Sequence, residues 1–330
     1  MPRLKLTFAC GRFDRMEALR SGEVQPEGIE LNYIPIEDSR ETFDRMVGGL
    51  EFDVSELSSS EFITMTARKQ CPFVALPVFP SRAFRHGHIY INRRAGIQAP
   101  RDLAGKRIGV TLYTQTAAIW IRGHLMHQYG IDLGGVHWVQ GAVEKAGPHG
   151  QPPVIPLPPG VSIKQNETPY SLSELLARGD IDALIGSRKP ESLDTSPDVA
   201  RLFPNYRDVE REFYEETGIF PIMHLVAMRR ELYEAHPWVA SSLYKAFVQS
   251  KRLAMRRLRF SGTLATMLPW QWNDVEEIDE VFHGDAFPYG VDANRTTLQA
   301  LVQYMHEQRF IPEPVAIDDL FVRLPHDLGT

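Results

Sequence analysis

No stretch of this 330-residue chain approaches the roughly 18 consecutive apolar residues that a membrane-spanning helix needs. Cysteine is scarce: Cys10 and Cys71 are the only two, and neither has metal-type spacing. That usage fits a reducing compartment and buried apolar thiols, and implies no disulfide framework. A basic excess is also lacking. With 36 Lys and Arg against 42 Asp and Glu, the formal net charge is −6, which argues against a nucleic-acid partner. The opening MPRLKLTFACGRFDRMEAL has no apolar signal core followed by a small-residue cleavage site, so a cytoplasmic protein is expected. There is no GxxxxGK phosphate loop, no GxGxxG dinucleotide fingerprint and no GxSxG elbow.

What is present is an alternation of strand and helix patterns. Leu4–Ala9 and Ile29–Ile36 alternate as strands, with a helical segment from Arg15 to Ser21 between them. Arg40–Gly48 is an amphipathic helix, Asp53–Leu57 a strand, and Ser58-Ser59-Ser60 opens a helix from Glu61 to Arg68. Phe73–Phe79, His88–Asn92 and His137–Gln140 read as strands, Ser171–Arg178 as a helix and Ile181–Ile185 as a buried strand. Gly147–Gly160 is a Pro/Gly-rich irregular loop, and Phe203–Thr217 is charged and featureless. The helical period dominates from Pro237 onward. The fold class is α/β.

Lys106–Gly130 carries the most information. Ile108–Val110 is a strand, Thr111–Thr116 a polar loop, and Ala117–Tyr129 a helix. A helix N-terminus offers unpaired N–H donors and the positive end of a dipole. An ordinary strand–helix turn with a threonine cap explains the pattern equally well; the functional alternative is a small carboxylate held near Thr116, with Tyr113 and Thr114 beside it. The order of elements from here to LARGDIDALIG resembles the second lobe of type II periplasmic-binding-protein folds. That resemblance implies lobe one at 1–92 plus 226–330 and lobe two at 93–225. Crossings would fall at His88–Arg93 and Pro221–Arg229, with a ligand cleft between the lobes.

Several segments are more specific. SELSSSEF (55–62), ALPVFPSRAFRHGHIYI (75–91), GVTLYTQTAAIWIRGHLMHQYG (109–130), ALIGSR (183–188) and FPIMH (220–224) together resemble the 4,5-dihydroxyphthalate decarboxylase family. The resemblance implies a two-lobed fold of the periplasmic-binding type, a carboxy-lyase reaction and no redox cofactor.

Nonoxidative loss of carbon dioxide from a hydroxylated aromatic acid needs a proton donor at the carboxyl-bearing carbon, a partner for the phenol, and anchors for the carboxylates. His86 and His224 are the acid–base candidates, because imidazole exchanges protons near neutral pH. Glu56 suits a hydrogen bond to a phenolic hydroxyl or to one of these histidines. Arg82, Arg85 and Arg188 suit carboxylates, since guanidinium binds them bidentately. Arg122, inside its helix, fits a structural ion pair as well as a ligand. Ser59, Ser60, Thr114 and Thr116 would orient substrate oxygens. His86-Gly87-His88 has HxH spacing but no matched carboxylates, so no metal or other cofactor is expected. Trp270, Trp272 and Phe282 read as packing groups, and Lys245–Arg259 as a solvated basic helix face that leaves a homo-oligomer open. The expected partner is a small aromatic carboxylate, with no nucleic acid and no membrane. The alternative is a solute-binding or ligand-sensing protein for a small anion.

Overall fold

The structure is a computed structural model describing residues 2–150 and 161–325. Residues 151–160 of the Pro/Gly-rich insertion lie outside it. The chain divides into two compact units. The first comprises Met1–Arg82, Ile222–Leu298 and Val315–Thr330; the second comprises Ala83–Pro221 and Gln299–Pro314. The divisions fall at Arg82/Ala83 and Pro221/Ile222 rather than after 92 and 225. The expected crossing His88–Arg93 holds a strand of the second sheet, and 299–314 groups with the second unit.

The first unit begins β1 (Leu4–Cys10), α1 (Glu17–Arg20), β2 (Ile29–Pro35), α2 (Ser39–Gly49), β3 (Val54–Ser58), α3 (Ser59–Ala67) and β4 (Phe73–Arg82). The second unit runs β5 (Ile89–Asn92), β6 (Arg107–Val110), α4 (Thr116–His127), β7 (His137–Gln140), β8 (Ile163–Gln165), α5 (Leu172–Arg178), β9 (Ala183–Ile185), α6 (Ser192–Thr195), β10 (Val199–Arg201) and α7 (Tyr206–Thr217). The chain then returns to the first unit with β11 (Ile222–Arg229), α8 (Arg230–Ala235), α9 (Trp238–Arg259) and α10 (Gln271–Phe282). The last helix, α11 (Arg295–Glu307), begins in the first unit and ends in the second.

The first sheet has the order β2-β1-β3-β11-β4, with β1 parallel to β2 and β3, and β11 antiparallel to its neighbours. Its core joins Phe8, Cys10, Val54, Val226 and Met228 to Leu243 and Phe247 of α9. Each such side chain contributes roughly 1.5–3 kcal/mol on burial. The second sheet has the order β10-β5-β9-β6-β7-β8, with Leu172, Leu176, Ile181 and Leu184 in its core.

Local sequence explains the boundaries. Asp38 caps α2 by accepting from the Arg40 amide, and Leu50 ends it in the left-handed region at φ 49°. Ser171 and Glu174 form a reciprocal capping box on α5, and Gly179 closes that helix at φ 81°.

Three expectations are corrected. Phe203–Thr217 contains the amphipathic helix α7, whose one buried side chain, Phe213, is too little apolar signal to read in a charged segment. The residue capping α4 is Gln115, not a threonine, and its side chain makes no cap bond because it is engaged elsewhere. Trp270 and Trp272 are 73% and 42% exposed, so they are not packed groups. Among the described residues no helix is long and apolar enough to cross a membrane.

Candidate functional site

The polar centre of the first unit stands at the carboxyl ends of the parallel strands β1 and β3, the usual place for ligands in such sheets. Glu56 is 1% exposed on β3. Register pairs Glu56 with Val226 and Ser58 with His224, which puts Glu56 and His224 on the same face of the sheet. The β11–β4 pairing is irregular on both sides of His224, the kind of distortion that re-aims a side chain.

The two side chains meet: His224 Nδ1 lies 2.5 Å from Glu56 Oε1. The other carboxylate oxygen accepts from the Gly11 amide at 3.1 Å and from the Cys10 thiol at 3.5 Å. Tyr33 donates its hydroxyl to the Gly11 carbonyl at 2.6 Å, which fixes that turn. Phe43 of α2 packs edge-on against the imidazole, with ring centroids 4.9 Å apart. The His224 side chain stays 19% exposed, and Nε2 has no hydrogen-bond partner among the described residues.

Burial alone would raise the Glu56 pKa. The charge and hydrogen bond of His224, then the Gly11 amide and the Cys10 thiol, outweigh it and hold the carboxyl below its ordinary value. Burial and the adjacent carboxylate push the Cys10 thiol well up, so it donates a proton here and is no nucleophile.

Ser59 and Ser60 follow directly in the first turn of α3, both buried, and Ser60 lies 3.2 Å from the Ser58 hydroxyl. Arg82, at the end of β4, is buried and donates to Asn294 Oδ1 at 2.7 Å.

The remaining candidates belong to the second unit. Tyr113, Thr114 and Thr116 are buried at the start of α4. Gln115 organises this loop: its oxygen accepts from Thr111 at 2.9 Å, and its nitrogen donates to Ser187 at 3.0 Å. The second bond ties the loop to the exit of β9, where Arg188 is exposed. Arg122 supports the loop from beneath. It donates to the Tyr113 carbonyl and to Gln308 at 2.8 Å each, with its guanidinium 3.8 Å from the Tyr113 ring centroid. Of the two roles left open for Arg122, the ion pair is not found: among the described residues no carboxylate reaches it.

Arg85 and His86 lie elsewhere in that unit. His86 bonds Gln128 at 2.9 Å and stacks on His124 at 5.1 Å, with Phe203 and Phe213 against it. Burial lowers its pKa, and burial holds Arg85 at about 10. His86–His88 is a 3₁₀ turn, so the two imidazoles do not share a strand face as HxH spacing suggested. Among the described residues no three His, Cys, Asp or Glu side chains group to hold a metal ion.

Comparison with known proteins places the chain in a family. A 4,5-dihydroxyphthalate decarboxylase of Comamonas testosteroni is 36% identical over 309 residues, covering 93% of each chain. The chain belongs to the 4,5-dihydroxyphthalate decarboxylase family. A second member, from Pseudomonas putida, is 37% identical over 215 residues, 65% of this chain and 83% of its own. No family model matches. Among solved structures, a periplasmic aliphatic sulphonate-binding protein of Escherichia coli aligns over 97% of this chain and 98% of its own. The TM-score is 0.55 at 10% identity, which shows the periplasmic-binding-protein-like fold.

In this member of the decarboxylase family, Cys10, Gly11, Tyr33 and Phe43 frame the Glu56–His224 pair, and sequence reading missed all four. Cys10 and Glu56 are 46 positions apart, and only the pairing of β1 with β3 brings them together. Gln115 was passed over because an amide between threonines carries no distinctive signal.

Proposed function

We propose that this protein is a nonoxidative decarboxylase of a hydroxylated aromatic dicarboxylate such as 4,5-dihydroxyphthalate. The observation that carries the reading is the buried Glu56 carboxylate holding Nδ1 of a partly exposed His224, with Nε2 left unpartnered. The names of the relatives support the substrate class. We assign the enzyme to the cytoplasm, acting on a small aromatic carboxylate without nucleic acid, membrane or cofactor.

Glu56 fixes the ring orientation and supplies the counter-charge when the imidazole is protonated. His224 Nε2 delivers its proton to the ring carbon that bears the leaving carboxylate. A hydroxyl para to that carbon feeds electron density into the ring as the new C–H bond forms. The bond to the carboxylate carbon then breaks, its electron pair returns to the ring, and carbon dioxide leaves. One proton is consumed per carbon dioxide released, and solvent restores it to His224. The product of 4,5-dihydroxyphthalate is 3,4-dihydroxybenzoate.

Arg82 is assigned to the retained carboxylate, and Ser59 and Ser60 to substrate oxygens at the first turn of α3. Tyr113, Thr114, Thr116 and Arg188 are assigned to further substrate-oxygen contacts. His86 and Arg85, buried among aromatic side chains and beside Glu210, are assigned to support.

The test is carbon dioxide release by the purified protein from a panel of hydroxylated benzoates and phthalates, with and without chelator. Release from 4,5-dihydroxyphthalate that persists under chelation and is lost in His224→Asn supports the reading. Unchanged turnover in His224→Asn removes the role given to that residue. Tight binding of a panel member without release moves the protein to the solute-binding or sensing class.

A further inference from the structure

The second unit holds a cavity of about 270 Å³, and the proposed reaction uses none of the residues that line it. It lies where the 3₁₀ turn His86–His88 meets the end of β10 and the first turns of α7. Phe84, Gly87, Arg201, Tyr206, Glu210 and Phe220 are among its walls. Phe84 and Phe220 stack with ring centroids 4.5 Å apart. Tyr206 closes over the turn because position 87 is glycine: a Cβ there would stand 2.7 Å from the Tyr206 ring. A cavity of ~150 Å³ takes up benzene, so this one has room for a substituted aromatic ring against these side chains.

The charged groups around it do not satisfy one another. Arg201 donates through Nη1 to the Gly87 carbonyl and to the Tyr90 hydroxyl, the latter at 3.3 Å. Its guanidinium lies 4.7 Å from the Tyr206 ring centroid. Among the described residues its Nε and Nη2 donors have no partner. Arg85, next to Phe84, is 6% exposed, and its Nε is buried without a hydrogen-bond partner. Glu210 accepts from the Gly87 amide at 2.9 Å. It acts on Arg85 and Arg201 by charge alone, with no hydrogen bond to either. Taking a guanidinium out of water without a paired anion is costly. Two cations to one carboxylate leave one positive charge uncompensated, and the surplus donors suit a carboxylate. A second carboxylate would stand against Glu210 with no counter-charge of its own. Glu210, an acceptor only, suits a ring hydroxyl instead.

We propose that this cavity binds a hydroxylated aromatic monocarboxylate. Arg201 holds the carboxylate, Phe84, Tyr206 and Phe220 hold the ring, and Glu210 accepts from a hydroxyl. A hydroxybenzoate is the class of product that the proposed reaction releases, whereas its phthalate substrate carries two carboxylates. The cavity therefore favours product over substrate. That link rests on the proposed reaction; the binding itself does not.

Hydrogen exchange of the full chain, with and without 3,4-dihydroxybenzoate, tests the binding. Amides of 86–90 and 201–210 are expected to exchange more slowly with the benzoate present, and roughly tenfold more phthalate is expected to be needed for the same slowing. Arg201→Gln is expected to raise the benzoate concentration required by roughly 10–100-fold, the worth of a charged hydrogen bond. Tyr206→Ala removes part of the aromatic wall at a position already 38% exposed, and is expected to weaken the response without disturbing the far-ultraviolet dichroism. Exchange in both segments that ignores the benzoate overturns the site, as does slowing that both variants leave intact. Slowing that inorganic phosphate reproduces at the same concentration overturns the aromatic class, and an equal response to phthalate overturns the selection of a single carboxylate. None of these readings uses turnover. A protein that releases no carbon dioxide from any phthalate can still show the site, and an active enzyme can lack it.

Discussion

The ring of Tyr304 occupies the space in which a side chain at Gly123 would carry its Cβ. Gly123 stands in the middle of α4, where glycine is ordinarily unfavourable by about 1 kcal/mol relative to alanine. Tyr304 is itself packed in place. Its ring packs edge-on against Trp120 at 5.5 Å and lies against His127 at 4.7 Å. Gly123→Ala is therefore expected to destabilise the fold by ~1–3 kcal/mol despite the gain in helix propensity. Adding Tyr304→Leu should recover part of the loss. Urea denaturation of the single and double variants measures this coupling.

Acid should weaken the second unit before it reaches the carboxylates. His124 is buried, with neither ring nitrogen hydrogen-bonded, and it stacks on His86. Burial lowers the pKa of His86, His88 and His124 from 6.5, and with help from Arg85 and Arg201 it takes His88 to about 3. The unfolded chain thus binds more protons than the folded one below pH 6.5. Stability falls as pH drops through that window, by up to ~1.4 kcal/mol per pH unit for each histidine. His124→Leu is expected to flatten the slope of melting temperature between pH 7 and pH 5, relative to the unmodified protein. An unaltered slope would mean that His124 does not titrate differently on folding.

The order of elements could be read because period and punctuation agree there. Lys106–Gly130 shows this best, its strand, polar loop and helix all falling where the pattern put them. The site was legible as residue types and not as contacts. Glu56 and His224 were both marked, but their bond depends on the pairing of β3 with β11, 168 positions apart, and on a distorted strand that no local pattern signals. Arg82 and Arg85 looked equivalent in the sequence. Only Ala83 and Phe84 separate them, yet they fall in different units, one bonded to Asn294 and the other buried near Glu210. No local pattern marks the division between Arg82 and Ala83.

Arg82 is the candidate whose binding role separates most cleanly from its structural one. Asn294 receives its Nη1 proton and donates in turn to the Pro288 and Gly290 carbonyls, which holds the turn before α11. Asn294→Ala keeps the Arg82 charge but removes the turn's anchor, so it should lower the melting temperature more than it alters the Michaelis constant. Arg82→Gln removes the charge. It is expected to raise the Michaelis constant for the dicarboxylate roughly 10–100-fold, the usual worth of a charged hydrogen bond. The same variant should lose the preference for phthalate over benzoate as a competitive inhibitor. An Arg82→Gln enzyme that inhibits and binds like the unmodified one would confine Arg82 to structure.

The sharpest test falls on Glu56, because one substitution carries both a kinetic and a titration signature. Glu56→Gln keeps the size of the side chain but turns its second acceptor into a donor, facing the Gly11 amide and the Cys10 thiol, two donors already in place. The amide also removes the counter-charge beside His224. The turnover number is expected to fall by roughly 10²–10⁴, with the Michaelis constant nearly unchanged, since in the proposed mechanism Glu56 acts through His224 and not on the substrate. The titration signature runs in the acid range. Folded Glu56 has a pKa below its ordinary 4.5, so the unfolded chain holds the proton more tightly. Its contribution to stability is complete above about pH 4.5 and is lost as pH falls through the folded value. Unfolding titrations should show the unmodified protein losing stability across that window and the Gln variant losing less. A merely structural Glu56 would give the same titration difference without the selective fall in turnover. A fall in turnover that Glu56→Asp fully restores would show that the charge suffices and that the geometry of the 2.5 Å contact does not.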